Sequence, residues 1–211
     1  MTAALIDASP KRKGSTSSIL LGKLRKLCPP EIRTEEAALH TSDVPAGVKE
    51  TLQSAGVWVI ACPLYVDSVP SHLLSCLMEL EPLGPEHPGR TVYAIVNCGF
   101  YEGEQAALAL KILENWCAKA GLVWGGGLGM GGGGAIPTLA ATEKGPMVPI
   151  CRALAGLGER IARGEGGENQ YCTVAFPRFL YRLAGQMGWR QGIRQNGGRA
   201  KDLGRQPEGE D

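Results

Sequence analysis

Five hydroxyls and three cations crowd one short stretch, Ser9-Pro10-Lys11-Arg12-Lys13-Gly14-Ser15-Thr16-Ser17-Ser18. The apolar run Leu5-Ile6 leads into it through Asp7 and Ala8. Ile19, Leu20, Leu24 and Leu27 follow at helical spacing. A strand, a loop and a helix start make an anion site, because the first helical turn has unpaired N–H groups and the helix dipole favours negative charge there. The hydroxyls of Ser9, Ser15, Thr16, Ser17 and Ser18 can add donors, and Lys11 can add charge. A phosphate monoester would use all of them. The plainer account is a helix capped by Ser15 or Thr16 beside a solvated basic loop. The G-x-x-x-x-G-K-[ST] phosphate loop is missing, and so is G-x-G-x-x-G at this first turn.

Two further stretches have functional character. Pro63-Leu64-Tyr65-Val66-Asp67-Ser68-Val69-Pro70 follows the apolar run Val57–Cys62, and Cys98-Gly99-Phe100-Tyr101-Glu102-Gly103 follows Thr91–Asn97. The elements that must position these loops are legible around them. Strands are expected at about 3–8, 31–39, 57–62, 91–97 and 122–130. Helices are expected at about 16–27, 48–54, after Pro70, at 104–120 and at 147–163. Continuous apolar runs such as Val57-Trp58-Val59-Ile60-Ala61-Cys62 suit parallel strands buried on both faces. Five alternations of strand and helix predict an α/β fold, a parallel sheet wound on both faces. In such a sheet ligands bind outside the carboxyl ends of the strands, at the switch point.

These loops resemble those of the flavodoxin-like NAD(P)H-dependent FMN reductases. The first family loop reads roughly G-S-P-R-x-x-[GS]-[NS]-[TS], and here it stands as Ala8 to Thr16, with Ala8 in place of the first Gly. The second reads P-[IL]-Y-x-x-S-x-P, close to Pro63–Pro70. The resemblance covers roughly residues 3 to 163. It implies a doubly wound five-stranded sheet in the order 2-1-3-4-5 and FMN at its edge. It implies that Ser9, Lys11, Ser15, Thr16 and Ser17 hold the FMN phosphate. Pro63, Leu64, Tyr65 and Val66 would lie beside the ribityl chain and ring, and Asn97, Cys98, Gly99 and Phe100 along the ring's polar edge. No residue is expected to act as an acid or base, since the cofactor carries the chemistry. The implied activity is electron transfer from NADH or NADPH through FMN to a small-molecule acceptor such as a flavin or quinone. The rival readings are a non-enzymatic flavodoxin-type carrier and a flavin-free relative that binds another phosphorylated ligand.

The whole-chain numbers bound the partners. A net charge of +1 over 211 residues gives no general field for nucleic acid or membrane. No early stretch reads as a signal peptide, and no apolar run reaches the ~20 residues of a membrane span. Seven cysteines, odd in number and without C-x-x-C, argue against zinc, thioredoxin-type and compact iron–sulfur sites. They suit a reduced, cytoplasmic protein without a metal. Local sequence offers Cys98 no cation that would favour a thiolate.

Two stretches need weighing. Gly127-Leu128-Gly129-Met130-Gly131-Gly132 matches G-x-G-x-x-G, but it follows the fifth strand. Its glycines are expected to let the backbone pass close to a helix or a subunit, or to form a mobile loop near the flavin. After a linker at 164–167, the chain is expected to leave the domain of residues 1–164 for an extension, 165–211. Phe176, Phe179, Leu180, Leu183 and Met187 make an apolar stripe there. From Thr173 to Gln206, six Arg and one Lys stand against one Asp. Such a helix could pack on the domain or a second subunit, touch a membrane surface, or bind an acidic partner. A homodimer is expected, with a disordered tail from Arg205 to Asp211.

Overall fold

The computed structural model describes residues 1–83, 89–142 and 144–205. The tail beyond Arg205, expected to be disordered, lies outside the described residues. The chain divides into two compact units, Met1–Ala175 and Phe176–Asp211.

The first unit is a parallel sheet whose elements follow the predicted alternation. They are β1 (Thr2–Asp7), α1 (Thr16–Leu27), β2 (Arg33–Ala38), α2 (Ala46–Ser54), β3 (Val57–Pro63), α3 (Ser71–Leu80), β4 (Thr91–Asn97), α4 (Ala107–Lys119), β5 (Val123–Met130), a short turn α5 (Ile136–Leu139), α6 (Val148–Arg163) and β6 (Gln170–Cys172). Every strand pairing is parallel and the order is β2-β1-β3-β4-β5-β6. The expected five strands are therefore six. Gln170-Tyr171-Cys172, read as part of the extension, pairs with Leu128–Met130 as an edge strand. It has no apolar run because only one neighbour and one face constrain it, so no buried pattern announces it.

Alternation along the strands sorts the helices onto two faces. Ala4, Ile6, Trp58, Ile60, Val92, Ala94 and Val96 form a core with Leu52 of α2, Leu73 and Leu77 of α3, and Leu110 and Leu113 of α4. On the other face α1 packs against α6. A cationic stack closes the first core from below: Arg90 lies 4.8 Å over Trp58, whose ring stacks on Trp116 at 6.5 Å. Trp116 donates its indole N–H to Leu77, which pins α4 to α3.

β5 carries a bulge, because the register with β4 shifts between Val92 and Tyr93. Gly126 has φ +104, a conformation that side chains rarely adopt. The Tyr93 ring fills the space a Cβ on Gly125 would need, and its hydroxyl donates to the Glu165 carbonyl at 2.9 Å.

The second unit is α7 (Arg178–Gln195) followed by a turn at Ala200–Gly204. No residue of α7 is buried. Phe179, Leu183, Met187 and Trp189 are exposed. Among the described residues no helix is long and apolar enough to cross a membrane.

Candidate functional site

Parallel pairing sets three loops at one edge. Asp7 pairs with Ala61, Pro63 with Asn97, and Asn97 with Met130, so β1, β3, β4 and β5 end side by side. The loops after β1, β3 and β4 leave from that edge.

The loop after β1 is held from within. Ser15 is the N-cap of α1: its hydroxyl oxygen accepts the Ser18 N–H at 2.9 Å, and its proton goes to the Asp7 carboxylate, 3.2 Å away. Asp7 also accepts the Ser9 N–H at 3.1 Å. Ser9, buried, accepts the Lys11 N–H on its hydroxyl at 3.2 Å. Lys11 donates its ammonium to the Gly14 carbonyl, which the left-handed Gly14 turns toward it. Thr16 donates to the Gly133 carbonyl at 3.2 Å, tying α1 to the loop after β5. Ser17 is buried and accepts the Asn97 amide at 2.9 Å. No hydrogen bond within the described residues engages the N–H groups of Arg12 to Ser17. These are the donors an anion would find.

The loop after β3 is a tight reversal. Tyr65 and Ser68 exchange both backbone bonds, at 2.9 and 3.0 Å. Val66 and Asp67 take φ +49 and +58 between them. Left-handed backbone at a β-branched residue costs roughly 1–2 kcal/mol, and such strain clusters at binding sites. Val66 is 99% exposed and Tyr65 50%, so nothing in the fold buries the residues that this turn holds up. The Leu64 N–H donates to Asn97, joining this loop to the next.

The loop after β4 has an inner and an outer part. Asn97 is buried and gives its amide to Ser17 and to the Cys62 carbonyl at 3.0 Å, so it braces α1, β3 and β4. Cys98 is also buried, its thiol directed at the Glu102 carbonyl, 3.4 Å away. Burial and the charges of Glu102 and Glu104 push that thiol up. Phe100 is exposed.

The glycines after β5 serve this loop. Gly133 donates to the Cys98 carbonyl at 2.8 Å and Gly132 to Phe100 at 2.6 Å. A Cβ on Gly131 would overlap the Tyr101 carbonyl, and one on Gly133 would stand 2.6 Å from that of Cys98. The G-x-G-x-x-G match is thus a close backbone approach within the sheet edge. Asp7 was not among the expected site residues. Its signal was its place at the end of β1, next to the first loop.

At the sequence level no protein-family model and no curated protein matches the chain. Solved structures do match in fold. An NADH:FMN oxidoreductase in its apo form aligns with a TM-score of 0.56 at 16% identity, over 76% of this chain and 89% of that one. A flavodoxin, WrbA-like protein from Agrobacterium tumefaciens gives 0.54 at 10% identity, over 77% and 96%. An NADPH-quinone reductase from P. pentosaceus gives 0.54 at 15% identity, over 75% and 98%. The chain has the flavodoxin-like fold, with β6 added at the sheet edge.

Proposed function

We propose that this chain is an FMN-binding oxidoreductase that passes electrons from NADH or NADPH to a small-molecule acceptor. The observation that carries it is the meeting of three dissimilar loops at one sheet edge. One offers unpaired N–H groups at a helix start, one holds up Tyr65 and Val66 on strained backbone, and one exposes Phe100. A phosphate monoester, a polyol and an aromatic ring are what such a trio fits. An NADPH-quinone reductase and an NADH:FMN oxidoreductase share the fold, which supports the same reading.

The residues divide the work. The N–H groups of Arg12 to Ser17, the Ser9 hydroxyl and Lys11 hold the phosphate. Ser15 and Thr16 act mainly by shaping α1's first turn, since the structure commits their hydroxyls to Asp7, Ser18 and Gly133. Pro63 to Val66 flank the ribityl chain and ring, and Tyr65 or Phe100 stacks on the ring face. Asn97 and Ser17 keep the loops in register, and backbone at Gly99 and Phe100 meets the polar edge of the ring. Bound FMN supplies the two-electron chemistry that no side chain here provides.

The reading includes a homodimer, favoured by the four large apolar side chains that α7 leaves exposed. It includes a reducing, cytoplasmic setting, favoured by seven free cysteines. FMN titration of the purified protein, followed by anaerobic addition of NADH or NADPH and then an acceptor, tests it. Stoichiometric uptake and bleaching with turnover are expected. Bleaching without turnover would point to a carrier, and no FMN uptake to a flavin-free relative. A monomeric mass in light scattering would remove the dimer.

A further inference from the structure

β1 ends on a carboxyl group, Asp7, directly before the first loop. Asp7 takes the Ser9 N–H at 3.1 Å and, at 3.2 Å, the hydroxyl of Ser15, the N-cap of α1. A dianionic phosphate on the N–H groups of Arg12 to Ser17 would stand beside that carboxylate, and two like charges at one site cannot both stay ionised cheaply. His40 lies close enough to influence Asp7 and bonds the Ser9 carbonyl through Nδ1 at 2.7 Å. Glu36 of β2 shares with Asp7 a cleft of about 650 Å³ bounded by α1, β2 and the start of α2. Lys11 is turned to the Gly14 carbonyl, and Arg12 and Lys13 are exposed.

We propose that Asp7 determines the charge state in which this site accepts a phosphate monoester, so that FMN binding takes up one proton, shared between the Asp7 carboxyl and the phosphate. This rests on the FMN reading and adds the rule by which the site discriminates. The proton comes from a solvent or buffer acid and forms an O–H bond on the carboxylate or the phosphate; no other bond changes. Two further facts agree. The second ionisation of a phosphate monoester lies near pH ~6, so FMN in neutral solution is largely the dianion. Burial raises the Asp7 carboxyl above its ordinary range, against the lowering by the Ser9 N–H, the Ser15 hydroxyl and His40. Asp7 therefore selects against the dianion, and the preference for FMN over riboflavin narrows as the pH rises.

The experiment titrates FMN and riboflavin into the wild type and Asp7→Asn at about pH 6.5 and about pH 8.5, with proton uptake read by calorimetry in two buffers of different ionisation heat. Asn keeps an acceptor for Ser9 and Ser15 and removes the charge. Wild-type affinity for FMN should fall roughly a hundredfold over that range, as uptake of about one proton per FMN across two pH units requires. Asp7→Asn should show no fall and no uptake, bind FMN roughly a hundredfold more tightly than the wild type at the higher pH, and leave riboflavin unchanged. Asp7→Ser, equally uncharged, should reproduce the flat profile and guards against a folding artefact in Asn. Equal or weaker FMN binding by both variants at the higher pH, or no proton linkage in the wild type, would overturn the proposal while the FMN site stands. Failure of both flavins to bind any of the proteins would instead overturn the FMN reading itself, and this inference with it.

Discussion

Two turns at the same sheet edge, both rich in glycine or hydroxyls, use their backbone in opposite ways. After β1, no hydrogen bond among the described residues engages the N–H groups of Arg12 to Ser17, while the hydroxyls of Ser15 and Thr16 bind inward, to Asp7, Ser18 and Gly133. After β5 the N–H groups of Gly131, Gly132 and Gly133 are all given away, to Cys172, Phe100 and Cys98. The first turn is a cradle with its donors outward. The second is a splice that joins β4, β5 and β6. A motif of glycines alone does not distinguish these cases, because what matters is where the N–H groups end.

The largest effect should come from the splice. Gly131→Ala drives a methyl into the Tyr101 carbonyl, and neither partner can move without unpairing the strand ends. A loss on the order of 3 kcal/mol is expected in urea unfolding, from backbone displacement in a packed site. A loss below about 0.5 kcal/mol would mean that the approach is loose and the contrast between the two turns unfounded.

Next comes the cap. Ser15→Ala removes the acceptor of the Ser18 N–H and should cost about 1 kcal/mol of stability. FMN affinity should fall less than it does when Ser9→Ala removes a hydroxyl still able to donate into the cradle. The reverse ranking, measured by fluorescence titration, would return Ser15 to direct phosphate contact.

Gly14→Ala sharpens the contrast, since it is the same substitution as at the splice with a different cause. Gly14 has φ +62 and open space where a Cβ would stand. The cost should be the left-handed strain alone, about 1 kcal/mol. A penalty as large as that of Gly131→Ala would show that unseen packing also holds the cradle.

The smallest effect is expected at Cys98→Ser. The thiol is buried, raised in pKa and directed at Glu102, so flavin binding and the rate of flavin reduction by NAD(P)H should stay within a few-fold. Stopped-flow reduction a hundredfold slower, with FMN bound, would give the sulfur a role that its surroundings do not suggest.

The sheet was largely legible because its signals are local. Continuous apolar runs at Val57–Cys62 and Thr91–Asn97 must be buried on both faces, and Pro29-Pro30 must stop α1. Short-range patterns of this kind determine strand, helix and their alternation, while the order of the first five strands was an expectation only through the resemblance of the loops after β1 and β3 to those of the FMN reductases. β6 escaped because a three-residue edge strand obtains its ladder from β5 and needs no pattern of its own. The candidate site divides along the same line. The sequence determined that hydroxyls, cations and aromatics sit in the loops after β1, β3 and β4. Tertiary structure decided their employment: Asn97 became a brace, Ser15 a cap, Thr16 a tie to Gly133, and Asp7 the acceptor of Ser9 and Ser15. A hydroxyl or amide can satisfy its hydrogen bonds with many partners, and its own type does not say which one the fold brings within 3 Å.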